Sequence, residues 1–242
     1  MANISLLDCT LRDGGHVNDF DFGFDNILEI IRGLSAANVD IVEIGFLMDA
    51  TYEPDKTVFQ NVQQAEALLP SGEFNSEYSL MIRPDWYNIN QLEASSKIKN
   101  LRFAFHEIDL ELVLVQAKYA RDLGYRVYLN PVNITGYSLA GVKELLMKLG
   151  DFNPDGVSIV DTFGSMQETD LLELYQIFEE NLDNSVTLGL HLHENLSLSL
   201  SLAQKFLEIR NPARNVIVDS SVLGMGRMPG NLPTELIMNT LM

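Results

Sequence analysis

The sequence predicts an α/β fold, a (β/α)8 or TIM barrel spanning residues 1–242 as one domain, and three observations predict it. Eight short β-rich runs recur along the chain, helical patterns separate them, and 242 residues is the length that eight such units need. An open doubly wound sheet is the rival. Its first strand leads into a G-x-G-x-x-G turn, whereas here the first run is followed by T-L-R-D-G-G-H.

The expected strands, in order, run from Ile4 to Asp8, Ile41 to Gly45, Tyr78 to Ile82, Leu101 to Phe105, Arg126 to Asn130, Gly156 to Val160, Val186 to Leu190 and Val216 to Val218. Between the first two, Phe24, Ile27, Leu28, Ile31 and Leu34 repeat at i, i+3, i+4, i+7, so one stripe of a helix is apolar, and Asp25 is placed to cap it. The polar, Pro-containing stretch from Asp49 to Lys56 is a long loop before the second helix. A helix beginning near Asp109 is expected to stop at Gly124. Leu171, Leu174, Tyr175 and Phe178 mark a later helix by the same spacing, and N-L-P-T-E-L opens the last. Strict alternation implies right-handed crossovers and a parallel sheet.

Sixteen basic against 34 acidic residues leave a formal charge of −18 with no basic run, which excludes nucleic-acid backbone as a partner and describes a soluble, self-repelling surface. Cys9 is the one cysteine, and M-A-N-I-S-L-L-D has neither a basic segment nor a long apolar one, so a cytoplasmic location is expected. No apolar stretch approaches the roughly 20 residues that cross a bilayer.

In a barrel, residues at strand C-termini share one mouth. Arg12, Asp13 and His16 follow the first strand, Glu43 lies in the second, and His106 and Glu107 follow the fourth. Asn130 ends the fifth, Asp161 and Thr162 follow the sixth, and Asp219 and Ser220 close the eighth. His191 and His193 end the seventh, two residues apart and therefore on one face. First and seventh strands feed the same interior layers, which lets Asp13 join both imidazoles as a ligand trio for a divalent cation such as Mn²⁺, Zn²⁺, Mg²⁺ or Fe²⁺. The blander alternative is a pair of stacked histidines at a strand end.

Arg12 beside that trio suits a carboxylate or an enolate oxygen, with Glu43 orienting it; a plain buried ion pair is the alternative. His16, beyond the flexible Gly14–Gly15 turn, is the candidate general base, against a loop-capping role. His106 divides evenly between substrate contact and a polar residue packed under the pocket. Asn231 is either a fourth ligand or substrate contact, or the N-cap of the final helix, and the cap is preferred. Gly224, Gly226 and Gly230 form a loop where barrels often bind phosphate, or an ordinary turn. Asp8 faces either the interior or a neighbour, and Phe103, Phe105, Trp86 and Tyr87 are core or pocket wall.

These residues carry a resemblance. D-C-T-L-R-D-G-G-H at 8–16, V-E-I-G-F at 42–46, V-D-T-F-G at 160–164, H-L-H-E-N at 191–195 and V-D-S-S-V-L-G-M-G-R-M-P-G-N-L-P-T-E at 218–235 resemble the DRE-TIM metallolyase superfamily over nearly the whole chain. The histidine after R-D-G, H-E-x-D at 106–109 and the glycine-rich loop are most similar to its 4-hydroxy-2-oxovalerate aldolase branch. The resemblance implies a metal-dependent catalytic domain that splits a 4-hydroxy-2-oxo acid into pyruvate, or a similar 2-oxo acid, and an aldehyde. Asp13, His191 and His193 would hold the metal, manganese by that branch, with Mg²⁺, Zn²⁺ or Co²⁺ as alternatives. Arg12 would stabilise the enolate, His16 would act as base, and Thr162 would stand in for a substrate-contacting serine. Asn130, His106 and Asn231 join them as expected substrate contacts.

The loop G-M-G-R-M-P lacks the cysteine of the coenzyme-A lyases, which disfavours that branch. Aldolases of this type continue into a C-terminal region that supplies a tyrosine and meets an aldehyde dehydrogenase; this chain ends about three turns into its last helix, so neither is carried over and a longer native protein is expected. A homodimer through the outer helices is admitted, since a closed barrel has no free sheet edge. Claisen-type condensation of an acyl-CoA with a 2-oxo acid, and metal or 2-oxo acid binding without turnover, are the alternatives.

Overall fold

The computed structural model describes residues 3–72 and 74–241. Eight parallel strands close on themselves: β1 (Ile4–Asp8), β2 (Ile41–Leu47), β4 (Glu77–Ile82), β5 (Ile98–Phe105), β6 (Arg126–Pro131), β7 (Gly156–Asp161), β8 (Thr187–Leu192) and β9 (Val216–Ser220). Closure comes from β1, which pairs in register with β9 through Ile4↔Val216 to Asp8↔Ser220 and with β2 through Leu7↔Ile41. A two-residue strand, β3 (Val58–Phe59), lies outside the ring on the C-terminal end of β2. It follows the polar loop expected at 49–56 and leads into the short α2 (Val62–Glu66), capped reciprocally by Asn61 and Gln64.

The outer helices are α1 (Phe24–Ala36), α3 (Leu110–Asp122), α4 (Leu139–Phe152), α5 (Glu168–Asn181), α6 (Ser199–Ile209) and α7 (Thr234–Leu241). Their buried stripes are those the spacing predicts: Ile27, Ile31 and Leu34 on α1, and Leu171, Leu174 and Phe178 on α5. Gly124, at φ 93°, follows α3 in the left-handed conformation of a helix stop. Asp25 is not the cap of α1. The chain enters that helix through Gly23, and Asp55, from the loop after β2, accepts from Phe24 N at 2.9 Å; a residue distant in sequence took the role because the Asp21↔Lys56 bridge brings the two loops together.

The main core lies between sheet and helices. Inside the ring a second apolar cluster is small, comprising Leu7, Cys9, Ile41 and Ile217 with Tyr128 against it. The rest of the lumen toward the strand C-termini is occupied by charged side chains, which removes it from packing and gives it to the mouth. No helix among the described residues is long and apolar enough to cross a membrane.

Candidate active site

The chain leaving β1 turns at once, with Asp13 N donating to Cys9 O at 2.7 Å, and this turn points Arg12 and Asp13 back over the barrel axis. A short 3-10 turn, Gly14–Val17, follows. Its glycines serve contact more than flexibility: a Cβ at Gly15 would stand 2.1 Å from the Phe20 ring. His191 lies within β8 and His193 just beyond it, both buried, with ring centroids 5.0 Å apart. One ligand atom each from Asp13, His191 and His193 falls within 4.8 Å of the others.

Both imidazoles are oriented by a bond at the same ring nitrogen. His191 Nδ1 lies 3.0 Å from Asp219 Oδ2, and His193 Nδ1 lies 3.2 Å from the Gly230 carbonyl. Donation from Nδ1 leaves the Nε2 lone pair of each ring for a cation. Burial, with His191 adding to it against the pull of Asp13, lowers the pKa of His193 to about 4, so that ring is neutral as a ligand must be. Burial alone would raise the Asp13 pKa, but Arg12, then the two histidines and Asn231, outweigh it and hold this carboxyl well below the usual range.

Asn231 is not a helix cap, since α7 starts at Thr234. Its Nδ2 donates to Asp13 Oδ2 at 2.9 Å, while its Oδ1 is buried with no partner. A free carbonyl oxygen beside a carboxylate and two Nε2 lone pairs fits a divalent cation by donor chemistry. The glycine-rich loop closes over this group. Arg227 N donates to Asp13 Oδ2 at 3.1 Å, and a Cβ at Gly226 would come within 2.3 Å of Asn231 Nδ2 and 2.8 Å of Asp13 Oδ2. With Gly224, Met225, Arg227 and Gly230 N–H groups all engaged inside the protein, the loop is a brace for Asp13 and Asn231 and not the phosphate cradle its glycines suggest.

Arg12 donates from Nη1 to Asp13 Oδ1 at 2.5 Å and from Nε to Glu43 Oε2 at 2.6 Å. Glu43 is fully buried and also meets Arg102 Nη1 at 3.3 Å, while Arg102 Nη2 donates to Asp219 Oδ2 at 2.5 Å. Asp219 then touches His191, so alternating charges run from the Asp13 side to the His191 side beneath the mouth. Arg102 was not among the expected residues. Its signal lay in β5, where Leu101, Phe103 and Phe105 belong to the outer core and Arg102 therefore points into the ring.

A cleft of about 700 Å³ opens over this ladder. Arg12, Asp13, His16, His106, Asn130, Thr162, His191 and His193 all line it; Glu43 lies beneath and Asn231 behind Asp13. His16 is exposed on the rim, edge-on to Phe20 at 5.0 Å and Phe46 at 6.0 Å. Burial on its inner side, with Arg12, Arg227 and Arg83 adding to it against Asp13, pulls its pKa down. His106 is also exposed at the rim, so it is not packed under the pocket: β5 ends before it and the chain turns outward into residues 107–109. Asn130 is buried with both amide atoms unpartnered, and Thr162 Oγ1 accepts from Asn133 N at 2.7 Å. Asp161 stays structural, accepting from Ser165 and Met166 N–H at 3.0 Å each. Trp86 lines the cleft, whereas Phe103, Phe105 and Tyr87 belong to the core.

The sequence model of the family described as HMGL-like matches residues 3–242. A homocitrate synthase from Pyrococcus abyssi is 26% identical over 241 residues, covering 98% of this chain and 64% of its own length. A 4-hydroxy-2-oxovalerate aldolase from Carboxydothermus hydrogenoformans is 26% identical over 247 residues, covering 98% of this chain and 70% of its own. The chain thus spans under two thirds of the homocitrate synthase it matches. Among solved structures, the HMG-CoA lyase from Brucella melitensis superposes with a TM-score of 0.76 at 15% identity, over 100% of this chain and 90% of that one, a likeness of fold.

Proposed function

This chain belongs to the HMGL-like family, and from that premise we propose that residues 1–242 form one catalytic domain, a divalent-metal-dependent lyase that cleaves a 4-hydroxy-2-oxo acid to pyruvate, or a similar 2-oxo acid, and an aldehyde. The observation that carries the reading is the pairing of Arg12 with Asp13 at the point where two imidazoles, each engaged at Nδ1, bring one ligand atom apiece within 4.8 Å of that carboxylate's.

Asp13, His191, His193 and the free Oδ1 of Asn231 are the residues that would hold the ion, with manganese favoured by the aldolase resemblance. When bound, a divalent cation supplies electron withdrawal from the 2-oxo and carboxylate oxygens of the substrate. Arg12 has Nη2 left for the oxygen on which enolate charge develops, and Glu43 keeps its guanidinium from rotating away. Asn130, with both amide atoms unspent, and Thr162 line the same cleft and would contact the substrate there. His16, deprotonated at neutral pH by its lowered pKa, takes the 4-hydroxyl proton. The C3–C4 bond then breaks, its electron pair moves to C3 as the enolate, and the aldehyde leaves; reprotonation at C3 completes the 2-oxo acid.

The homocitrate synthase match favours one second reading, condensation of an acyl-CoA with a 2-oxo acid in the same site. Metal analysis of the purified protein, followed by a pyruvate-release screen over 4-hydroxy-2-oxo acids and an acyl-CoA consumption assay, separates the two. Metal-dependent pyruvate release without acyl-CoA is expected. Turnover that requires acyl-CoA overturns the lyase assignment.

A further inference from the structure

The whole chain carries 34 acidic against 16 basic residues, yet the cleft reverses that balance. Four arginines line it, Arg12, Arg83, Arg102 and Arg227, with Asp13 as the one carboxylate among its lining residues. Arg102 is paired below with Glu43 and Asp219, and Arg12 with Glu43 and Asp13, which leaves its Nη2 for the enolate oxygen. Arg83 and Arg227 are not explained by the metal trio or by the enolate.

Arg83 follows β4 and is held rigidly. Its Nε and Nη2 donate to Asp85 Oδ1 and Oδ2 at 3.0 and 2.9 Å, and its Cζ stacks 4.3 Å from the Trp86 ring. That arrangement fixes one edge of the guanidinium and leaves Nη1 without a protein partner among the described residues. Trp86 continues to Phe46 at 5.7 Å, and Phe46 to Arg12 Cζ at 5.9 Å, so an aromatic wall joins the arginine at the reaction centre to the one at the rim. Arg227 stands in the loop after β9, its backbone anchored on Asp13 and its exposed side chain making no ion pair among the described residues. Strands β9, β1, β2 and β4 are successive in the ring, so the two cations flank the His16 loop, the side from which the 4-hydroxyl end of a substrate is reached.

We propose that Arg83 and Arg227 form a second anion site at the cleft rim, and that the substrate is a 2-oxo acid bearing another anionic group, a carboxylate or a phosphate, at its far end. This rests on the lyase reading for the position of the 2-oxo acid head. The leaving aldehyde then carries that second charge. A rigid guanidinium edge with a free N–H is suited to a planar carboxylate or phosphate.

The test is calorimetry on the manganese-loaded protein with three probes of known charge: 2-oxopentanoate, 2-oxoglutarate and 3-phosphohydroxypyruvate. The two probes with a second anionic group should bind about tenfold or more tightly than 2-oxopentanoate, which is the size of one charged hydrogen bond. Whichever of these two binds better identifies the group as carboxylate or phosphate. Arg83→Met and Arg227→Met should each erase most of the preference, and raised salt should erode it in the parent protein. Both positions are at the rim, and unchanged circular dichroism verifies that the variants fold. Equal binding of all three probes, or a preference that survives both substitutions, overturns the anion site and leaves the lyase reading standing. Binding of none of them overturns the lyase reading as well.

Discussion

Two aspartates five residues apart, both fully buried near the end of β1, behave in opposite ways. Asp8 accepts from Thr10 N at 2.9 Å and from the Thr234 hydroxyl at 2.6 Å, and Thr234 meets Ser220 at 2.8 Å. Burial outweighs these neutral donors and raises its pKa to about 6. Asp13 has Arg12, two imidazoles and an amide, and stays ionised far below that. Equal burial of the same side chain thus gives a latch in one case and an ionised candidate ligand in the other; the sign of the partners decides. The Asp8 group ties β1, β9 and the start of α7 together, whereas the Asp13 group leaves lone pairs unspent.

The strongest way to break this contrast is at Asp13. Asp13→Asn should abolish both metal binding and 2-oxo acid cleavage, because a neutral amide beside Arg12 cannot balance the cation; retention of full metal stoichiometry with turnover would sink the ligand assignment. Arg12→Lys comes next. Loss of the planar fork should lower kcat by about 10²- to 10³-fold with a smaller change in KM, the usual cost of removing one charge-stabilising donor. A kcat within a few fold of the parent would mean that Arg12 only balances Glu43 and Asp13.

Asp219→Asn probes the ladder one step away. It should weaken metal affinity by about 10- to 100-fold, since His191 loses the carboxylate that fixes its Nδ1. Metal titration reads this directly, and undiminished affinity would show that His191 is positioned by packing alone.

The smallest effect belongs to Asp8 and is one of stability. Its folded pKa is raised, so its contribution is complete below the unfolded value of 3.8 and is lost as pH rises through about 6. Asp8→Asn should flatten that part of the stability profile by on the order of 2–3 kcal/mol between about pH 4 and 7, measured by urea unfolding. An unchanged slope would place the titration elsewhere.

Much of this was legible along the chain. The eight strand positions followed from apolar runs and their spacing, and the His191–Leu192–His193 alternation already placed two rings on one side. The roles of Asn231, Asp25 and His106 were not. N-L-P-T-E-L looks like a helix start, and only the loop folded over Asp13 turns the amide of Asn231 away from α7. Arg102 was visible as a charge inside an apolar strand, but its partners, Glu43 and Asp219, lie 59 and 117 residues away.

Local pattern by itself determined the α/β alternation, the outer helix stripes and the residue types at the strand ends, because periodicity is set by backbone geometry within a few residues. Barrel closure decided the rest. Which nitrogen of each histidine is free, which aspartate is ionised and which arginines are unspent depend on partners that only the pairing of β1 with both β2 and β9 brings within hydrogen-bond reach. Charge and desolvation act through distances in space, and no spacing in sequence encodes them.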